Sequence, residues 1–484
     1  MQTLEISADE LIPSLLSLSE SEPVCILDSC GVGNLGSHLL IAGIDPVEVV
    51  EISDDDPSVV LAELDRKLSN DLASVFTLSY EFGEKLIGIR RNSDEYRSHE
   101  PDAFIASFDT LILHDYDTGE TTLTGNSDKF SVIAAKLHDA DANFKSEISD
   151  FKSKISDSKT TVTSNFTKPE YLAAIEAIKE RIRCGDTYQT NLTQQLTAPL
   201  DDELTPQMIF HRLRQQHPAP FASFIKRLDS TVVSASPERF FHINGELAQT
   251  TGGNPTCREG VPSRITTSPI KGTRPRGTTP NGDAALRHEL LTSPKDRAEN
   301  TMIVDLLRND LGRVCEYGSV RVEKLCDLEE HPTLFHLVST VSGELRNDVK
   351  FSDILKALFP CGSITGAPKI STMRIIDEIE TEKRGLSMGA IGYYVPSPKS
   401  NVQGHGPTWD FGHGTLDSSV AIRTMVVRDN VTTFNVGGGI VIDSEPEKEY
   451  DESLLKARAL LTAMNVAFET VPERDMEQIP PNGF

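Results

Sequence analysis

The chain lacks most of what marks membrane, secreted or polyanion-binding proteins. No run in its 484 residues approaches 18 apolar positions, so no segment reads as a transmembrane helix. The start, MQTLEISADELIPSLLSLSE, is acidic and has no basic n-region, which argues against a secretory signal. Seven cysteines, Cys25, Cys30, Cys184, Cys257, Cys315, Cys326 and Cys361, form an odd set without a CxxC pair. Reduced thiols in a cytoplasm are expected from that set, not a disulfide framework or a zinc site. Basic residues are scarce: 47 Lys and Arg stand against 73 Asp and Glu, for a net charge of −26. Such a chain repels polyanions at long range, so no nucleic-acid partner is expected. A small anion can still bind where a pocket or a metal reverses the field. There is no internal repeat and no coiled-coil register.

What is present fits a soluble globular protein, with 38% hydrophobic and 25% charged residues. The length allows one large domain or two to three average ones. Residues 1–125 alternate short apolar runs with turns (VCILDS, VEVVEI, VFTLSY, DTLILHDYDTG) and read as an α+β unit with several strands. Residues 140–168 are polar and rich in Ser, Lys and Asp, as in a linker or a solvated helix followed by a loop. YLAAIEAIKERIRCGD then carries a helical apolar period with a Gly-Asp stop. Further helices are expected at 284–311, 351–358, 367–381 and 446–464, and strands at 231–235, 390–395, 419–428 and 432–442. The Gly/Pro/Ser/Thr-rich stretches 248–268 and 396–415 read as surface loops, and 470–484 as a frayed tail.

CILDSCGVGNLGSHLLIAG contains a formal GxGxxG at Gly31, Gly33 and Gly36. The apolar stretch that follows is too short for a crossover helix and no second βαβ unit appears, so a glycine-rich turn between two strands is the better reading. Carboxylates gather at helical spacing in two places. SPKDRAENTMIVDLLRNDLGR places Asp296 and Glu299 at i,i+3; DSEPEKEYDESLLKAR places Glu449 and Glu452 likewise, with Lys456 one turn on. Two helices each offering a carboxylate suit Mg²⁺, which takes oxygen ligands and keeps waters; a solvated acidic face is the plain alternative. Glu238, in VVSASPERFF, stands at a strand end beside aromatics, where burial raises a carboxyl pKa. FNVGGGIVIDS puts Gly437, Gly438 and Gly439 in a strand, open to close approach by a ligand. CGSITGAPK ends in a turn that opens a helix, an anion site by geometry. SPIKGTRPRG carries Lys271, Arg274 and Arg276 around two glycines. A minor-groove Arg-Pro-Arg arm is one reading of it, opposed by the charge balance.

Together these segments resemble the chorismate-utilising enzymes, whose branches include the anthranilate, aminodeoxychorismate, isochorismate and salicylate synthases. GDTYQTNLTQ, SPERF, SPIKGTRPRG, DRAENTMIVDLLRNDLGRV, HLVSTVSGEL, GSITGAPKISTMRIIDEIE, GAIGYY, VAIRT and GGGIVIDSEPEKEYDESLLKAR run in the family's order from about 167 to 464. CILDS, GSHLLIAGIDP and LSYEFGEKL look like its N-terminal region. The resemblance implies an α+β, anthranilate-synthase-like fold: two large antiparallel sheets packed as a sandwich with helices outside. It divides the chain into an N-terminal region 1–140, a linker 141–166, a chorismate-binding catalytic domain 167–465 and a tail 466–484.

By the same resemblance, Glu299 and Glu452 hold Mg²⁺, with Glu449 and Asp296 behind them through water. Arg423, Tyr393, Lys456 and the backbone of Gly437, Gly438 and Gly439 take the carboxylates of chorismate. Glu238 is the general acid for the departing C4 hydroxyl, while His336, Gly272 and Thr273 line the ring. Ser363 and Thr365 vary among the relatives and leave the choice of nucleophile open at that edge of the site. Lys271 matches the aminodeoxychorismate branch, where anthranilate synthases carry Ala; Gln189 stands where the water-adding members place a lysine. The implied role of Lys271 is nucleophilic, and a lysine that attacks carbon must first lose a proton it ordinarily holds to about pH 10.4. With no nucleophilic Cys in a glycine-rich elbow, ammonia is expected from a separate glutamine amidotransferase subunit. Anthranilate synthase component I is the alternative; tryptophan feedback belongs to that branch and is not expected here. Two features depart from the family: a long run between Glu238 and Lys271, and the apparent insertion at 396–415.

Overall fold

The computed structural model describes residues 1–32, 38–68, 71–89, 99–140, 161–201, 204–244, 247–248, 256–257, 263–330, 334–396 and 414–466. The apolar runs of the first quarter form strands at Val24–Asp28, Glu48–Ile52, Ala73–Leu78 and Thr110–Asp115. With the strands that follow they build sheets of 12 and 10 strands, both antiparallel.

Cys25, Ile41, Phe104, Ile225, Val232, Ile391 and Ala421 fill the space between the sheets. The helices Ala8–Leu18, Pro206–Gln216 and Pro446–Ala463 cover the outer face of the larger sheet. Pro57–Lys67, Tyr80–Leu86, Pro294–Gly312 and Phe351–Leu358 cover the smaller one. Each fully buried Leu or Phe in these layers, such as Leu11 and Phe210, contributes about 1.5–3 kcal/mol. This is the sandwich with outer helices that the resemblance implied.

Strands from the first 125 residues enter both sheets. Val24–Asp28 pairs with Phe221–Lys226 in the larger, and Ala73–Leu78 pairs with Ala390–Pro396 in the smaller. Val24–Asp28 and Leu39–Ile44 form an antiparallel pair, so the glycine run joins two strands; residues 33–37 of it lie outside the described residues.

The helix Lys168–Arg183 opens on a capping box, Thr167 and Glu170 exchanging hydrogen bonds, and stops before Gly185 at φ +82°. The single helix expected at 284–311 is two, Pro280–Thr292 and Pro294–Gly312. Ser293 ends the first and caps the second, and Pro294, lacking an N–H, starts it. The strand expected at 419–428 is also two: Gly414–Val420 belongs to the smaller sheet and Thr424–Arg428 to the larger. The loop expected at 248–268 contains the strand Arg264–Ser268, held between Arg239–Asn244 and Leu334–Glu344. Most of the expected linker, most of the 396–415 stretch and the tail lie outside the described residues.

Candidate active site

Two of the points where the chain crosses from one sheet to the other are neighbours, and each of these crossings carries a charged residue. Thr231–Ser236 lies in the larger sheet and Arg239–Asn244 in the smaller, with Glu238 between them. Gly414–Val420 returns to the larger sheet through Ala421, Ile422 and Arg423, the last at φ +49°. Hydrogen bonds knit the crossings together, Val420 N–H to the Glu238 carbonyl at 3.0 Å and Ala235 N–H to the Arg423 carbonyl at 3.0 Å. Burial pushes Arg423 below the usual arginine range.

Lys271 enters from the strand Ile270–Pro275, which pairs with Leu334–Glu344. The register slips between Ile270 and Thr273, so Lys271 and Gly272 form a bulge that re-aims the lysine. Gly272 is required there. Its φ is +88°, and a Cβ would stand 2.9 Å from that of Asp296 on the helix behind. Lys271 Nζ donates to the Ser363 carbonyl at 3.2 Å. Thr273 lies opposite His336, its hydroxyl 2.9 Å from His336 Nδ1.

Burial raises the Glu238 carboxyl above the usual range; the nearby Lys271 ammonium, the Ser363 side chain and Ile270 N–H pull the other way. Burial likewise raises Glu299, against the pull of Lys271 and Lys295. One oxygen of each, Oε1, is buried without a hydrogen-bond partner. For Glu452 burial also pushes up, but Lys456, at 2.9 Å, prevails and lowers it. Lys456 Nζ further donates to the Gly437 carbonyl at 2.9 Å. Glu449 accepts the Ser444 hydroxyl at 2.7 Å and lies 3.7 Å from Lys295 Nζ, and Asp296 takes Arg274 at 3.2 Å.

Lys295 thus stands among Glu449, Glu299, Glu452 and Asp296, which together raise it against the downward push of burial. Sequence reasoning did not single it out, although its i,i+4 spacing to Glu299 was readable. Among the described residues no three His, Cys, Asp or Glu side chains close on one point as a ready cation cage. Mg²⁺ needs no such cage, since it uses one or two carboxylates plus water and substrate oxygens. The buried Oε1 of Glu299, which has no hydrogen bond and has the counter-charge of Lys295 Nζ 4.0 Å away, fits that demand.

Asn191, Leu192 and Thr193 stand opposite Gly439, Gly438 and Gly437 in the Gln189–Pro199 and Val431–Ile440 ladder, and the Gln189 side chain reaches over Gly439 from two residues along. A Cβ on Gly439 would run into its amide. Gln189 is 0% exposed and neither atom of that amide has a partner. Thr365 spends its hydroxyl on the Cys361 carbonyl at 3.1 Å. Tyr393 is not brought to this cluster. It faces the space between the sheets and lines a cavity with Arg239 and Asp417, which pair at 2.8 Å. Arg274 and Arg276 turn to Glu289 and Asp283, as loop supports.

A buried acid, a half-buried lysine, an unpaired amide and a carboxylate-rich edge therefore share one seam. Such a seam can bind a small anion and protonate a leaving group. Chorismate binding enzymes match the chain over residues 23–255 and 258–462. The chain belongs to that family. Aminodeoxychorismate synthase of Streptomyces griseus is 35% identical over 86% of this chain and 56% of its own length. An anthranilate synthase component 1 of Haloarcula marismortui is 40% identical over 60% of this chain and 51% of its own. The chain thus spans about half the length of the curated relatives it matches. Anthranilate synthase component I from Streptococcus pneumoniae shares the fold, with a TM-score of 0.66, 24% identity and coverage of 89% of this chain and 93% of its own. The menaquinone-specific isochorismate synthase of Escherichia coli does too, at 0.65, 15% identity, 95% and 92%.

Proposed function

We propose that this chorismate binding enzyme converts chorismate and ammonia to 4-amino-4-deoxychorismate, with ammonia supplied by a separate glutamine amidotransferase subunit. The observation that carries the reading is Lys271 at a bulge within reach of two buried carboxyls, Glu238 and Glu299. Hydroxide leaves carbon poorly, so its oxygen must take a proton while electrons arrive along the conjugated ring. Lys271, neutral, forms an N–C bond at C2; the ring double bonds shift, the C4–O bond breaks, and Glu238 delivers the proton that makes the leaving group water. Ammonia then bonds to C4, the double bonds return, and the C2–N bond breaks to release Lys271. Chorismate and ammonia become aminodeoxychorismate and water, and proton exchange with solvent returns Glu238 to its acid form.

Glu299 and Glu452 would hold Mg²⁺, and Glu449 and Asp296 would support it through water. The ion would neutralise the ring carboxylate of the substrate. Arg423, Lys456 and the glycine backbone at 437–439 suit the remaining charge, and Gln189 offers an uncharged amide to the incoming nitrogen. Tyr393, turned between the sheets, is left out of this arrangement. The protein acts in the cytoplasm on this reading, and no described helix is long and apolar enough to cross a membrane.

The test is product analysis by chromatography after incubation with chorismate, Mg²⁺ and ammonium, with and without an added lyase. Aminodeoxychorismate is expected, turning into p-aminobenzoate only with the lyase. Fluorescent anthranilate without a lyase would overturn the assignment in favour of the anthranilate branch. Incubation without ammonia, followed by mass analysis, is expected to find a substrate adduct on Lys271.

A further inference from the structure

We propose that Arg384 is a positioning residue of this site: it fixes the spacing between the wall that anchors Lys271 and the strand that carries Gln189, and ties both to the helix Tyr80–Leu86. The side chain of Arg384 is 1% exposed. Its Nη1 donates to the Ile364 carbonyl at 3.1 Å and its Nη2 to the Asn191 carbonyl at 2.7 Å. Ile364 follows Ser363, whose own carbonyl receives Lys271 Nζ. Asn191 is two residues along the strand from Gln189, so their side chains share a face. One rigid guanidinium therefore sets how far apart these two walls stand.

Its aim is itself fixed. Glu380 takes Nε at 2.8 Å and Nη2 at 2.7 Å, while the same carboxylate receives Thr193 N–H at 2.7 Å. The ring of Tyr80 stacks under the guanidinium, 4.4 Å away, and Glu81 accepts the Arg384 backbone N–H at 2.8 Å. A second contact joins the same helix to the same wall: a Cβ on Gly83 would run into Pro360, in the segment leading to Gly362–Thr365. The N-terminal helix thus touches the Ser363 wall directly and through Arg384. Lysine cannot replace this fork, because an ammonium presents its donors from one point.

The inference rests on Lys271 and Gln189 acting in the reaction, but not on which product forms. The measurement compares wild type, Arg384→Lys and Glu380→Gln, scoring the disappearance of chorismate, the equilibrium Kd for chorismate, and Tm. Displacement by about an ångström at a reacting group costs on the order of a hundredfold in rate. Arg384→Lys is therefore expected to lower kcat about tenfold or more, with Kd within about threefold and Tm within a few degrees. Glu380→Gln, which keeps the shape but loosens the aim, is expected to act in the same direction by several-fold. If Arg384→Lys does not fold, Glu380→Gln decides. A kcat within twofold of wild type in the folded variants, or a loss of Tm with kcat and Kd unchanged, would overturn the proposal. A wild-type product other than aminodeoxychorismate would fail the reading above and leave this test intact.

Discussion

Lys271 and Arg384 are both cations drawn into the protein, and they are bonded in opposite ways. Arg384 is saturated: two carbonyls, a carboxylate and an aromatic ring account for its fork. Lys271 has one hydrogen bond, to a carbonyl, and the buried acids near it keep unpartnered oxygens. Buried polar atoms ordinarily find partners, and leaving them unmet costs about 1–3 kcal/mol each. A chain that fills every arm of one cation and leaves the other with a single bond has divided its cations between holding a shape and meeting a ligand. The contrast also separates two routes to lost activity: changes at Arg384 or Glu380 shift where the reacting groups stand, whereas changes around Lys271 remove chemistry from a frame that stands without it.

The sharpest way to break that contrast is Lys271→Ala. It is expected to abolish aminodeoxychorismate formation, by roughly a thousandfold or more, with Tm within a few degrees; full activity in the variant would reduce the lysine to a binding role. Next comes Glu238→Gln, for which a loss of about 10²–10⁴ in kcat is expected. In the proposed mechanism Glu238 works in its protonated form, so the wild-type rate should fall on the alkaline side and the residual rate of the variant should not. Glu299→Gln is expected to weaken Mg²⁺ binding about tenfold or more, read by calorimetry, and Glu452→Gln less, since that side chain is half-exposed.

The smallest effect tests the structural side. Burial and the neighbouring Glu84 raise Glu81 from 4.5 to about 8. A raised carboxyl binds its proton more tightly in the folded state, so its contribution to stability is complete below 4.5 and is lost as pH rises toward about 8. Denaturant melts between pH 5 and 8 should show wild-type stability falling and Glu81→Gln nearly flat.

The legible parts of the site were those whose side chains bear charge at a fixed spacing: Asp296 with Glu299, Glu449 with Glu452, and Glu238 after a strand. The slip in register at Lys271 was not legible, because it depends on how close a distant helix brings Asp296. Tyr393 shows a different limit. Adjacent strand residues point to opposite faces, and its neighbour Tyr394 packs into the outer core while Tyr393 turns between the sheets. Which face was which could not be read from GAIGYY alone. Arg384 escaped notice because its partners at Ile364 and Asn191 are backbone carbonyls, which no residue type advertises. Of the fold, the strands were visible as apolar runs. Their division between two sheets was not, since the residues at crossings such as Pro237-Glu238 and Ala421–Arg423 carry no periodic pattern.

The interleaving of both ends of the chain in both sheets bears on synthesis. Val24–Asp28 must wait for Phe221–Lys226, and Ala73–Leu78 for Ala390–Pro396. The last of the described strands, Val431–Ile440, is an interior one, between Thr424–Arg428 and Gln189–Pro199. Neither sheet can close until strands more than 190 residues apart in sequence have both emerged, so the growing chain carries open strand edges over that interval, a state prone to pairing with its neighbours.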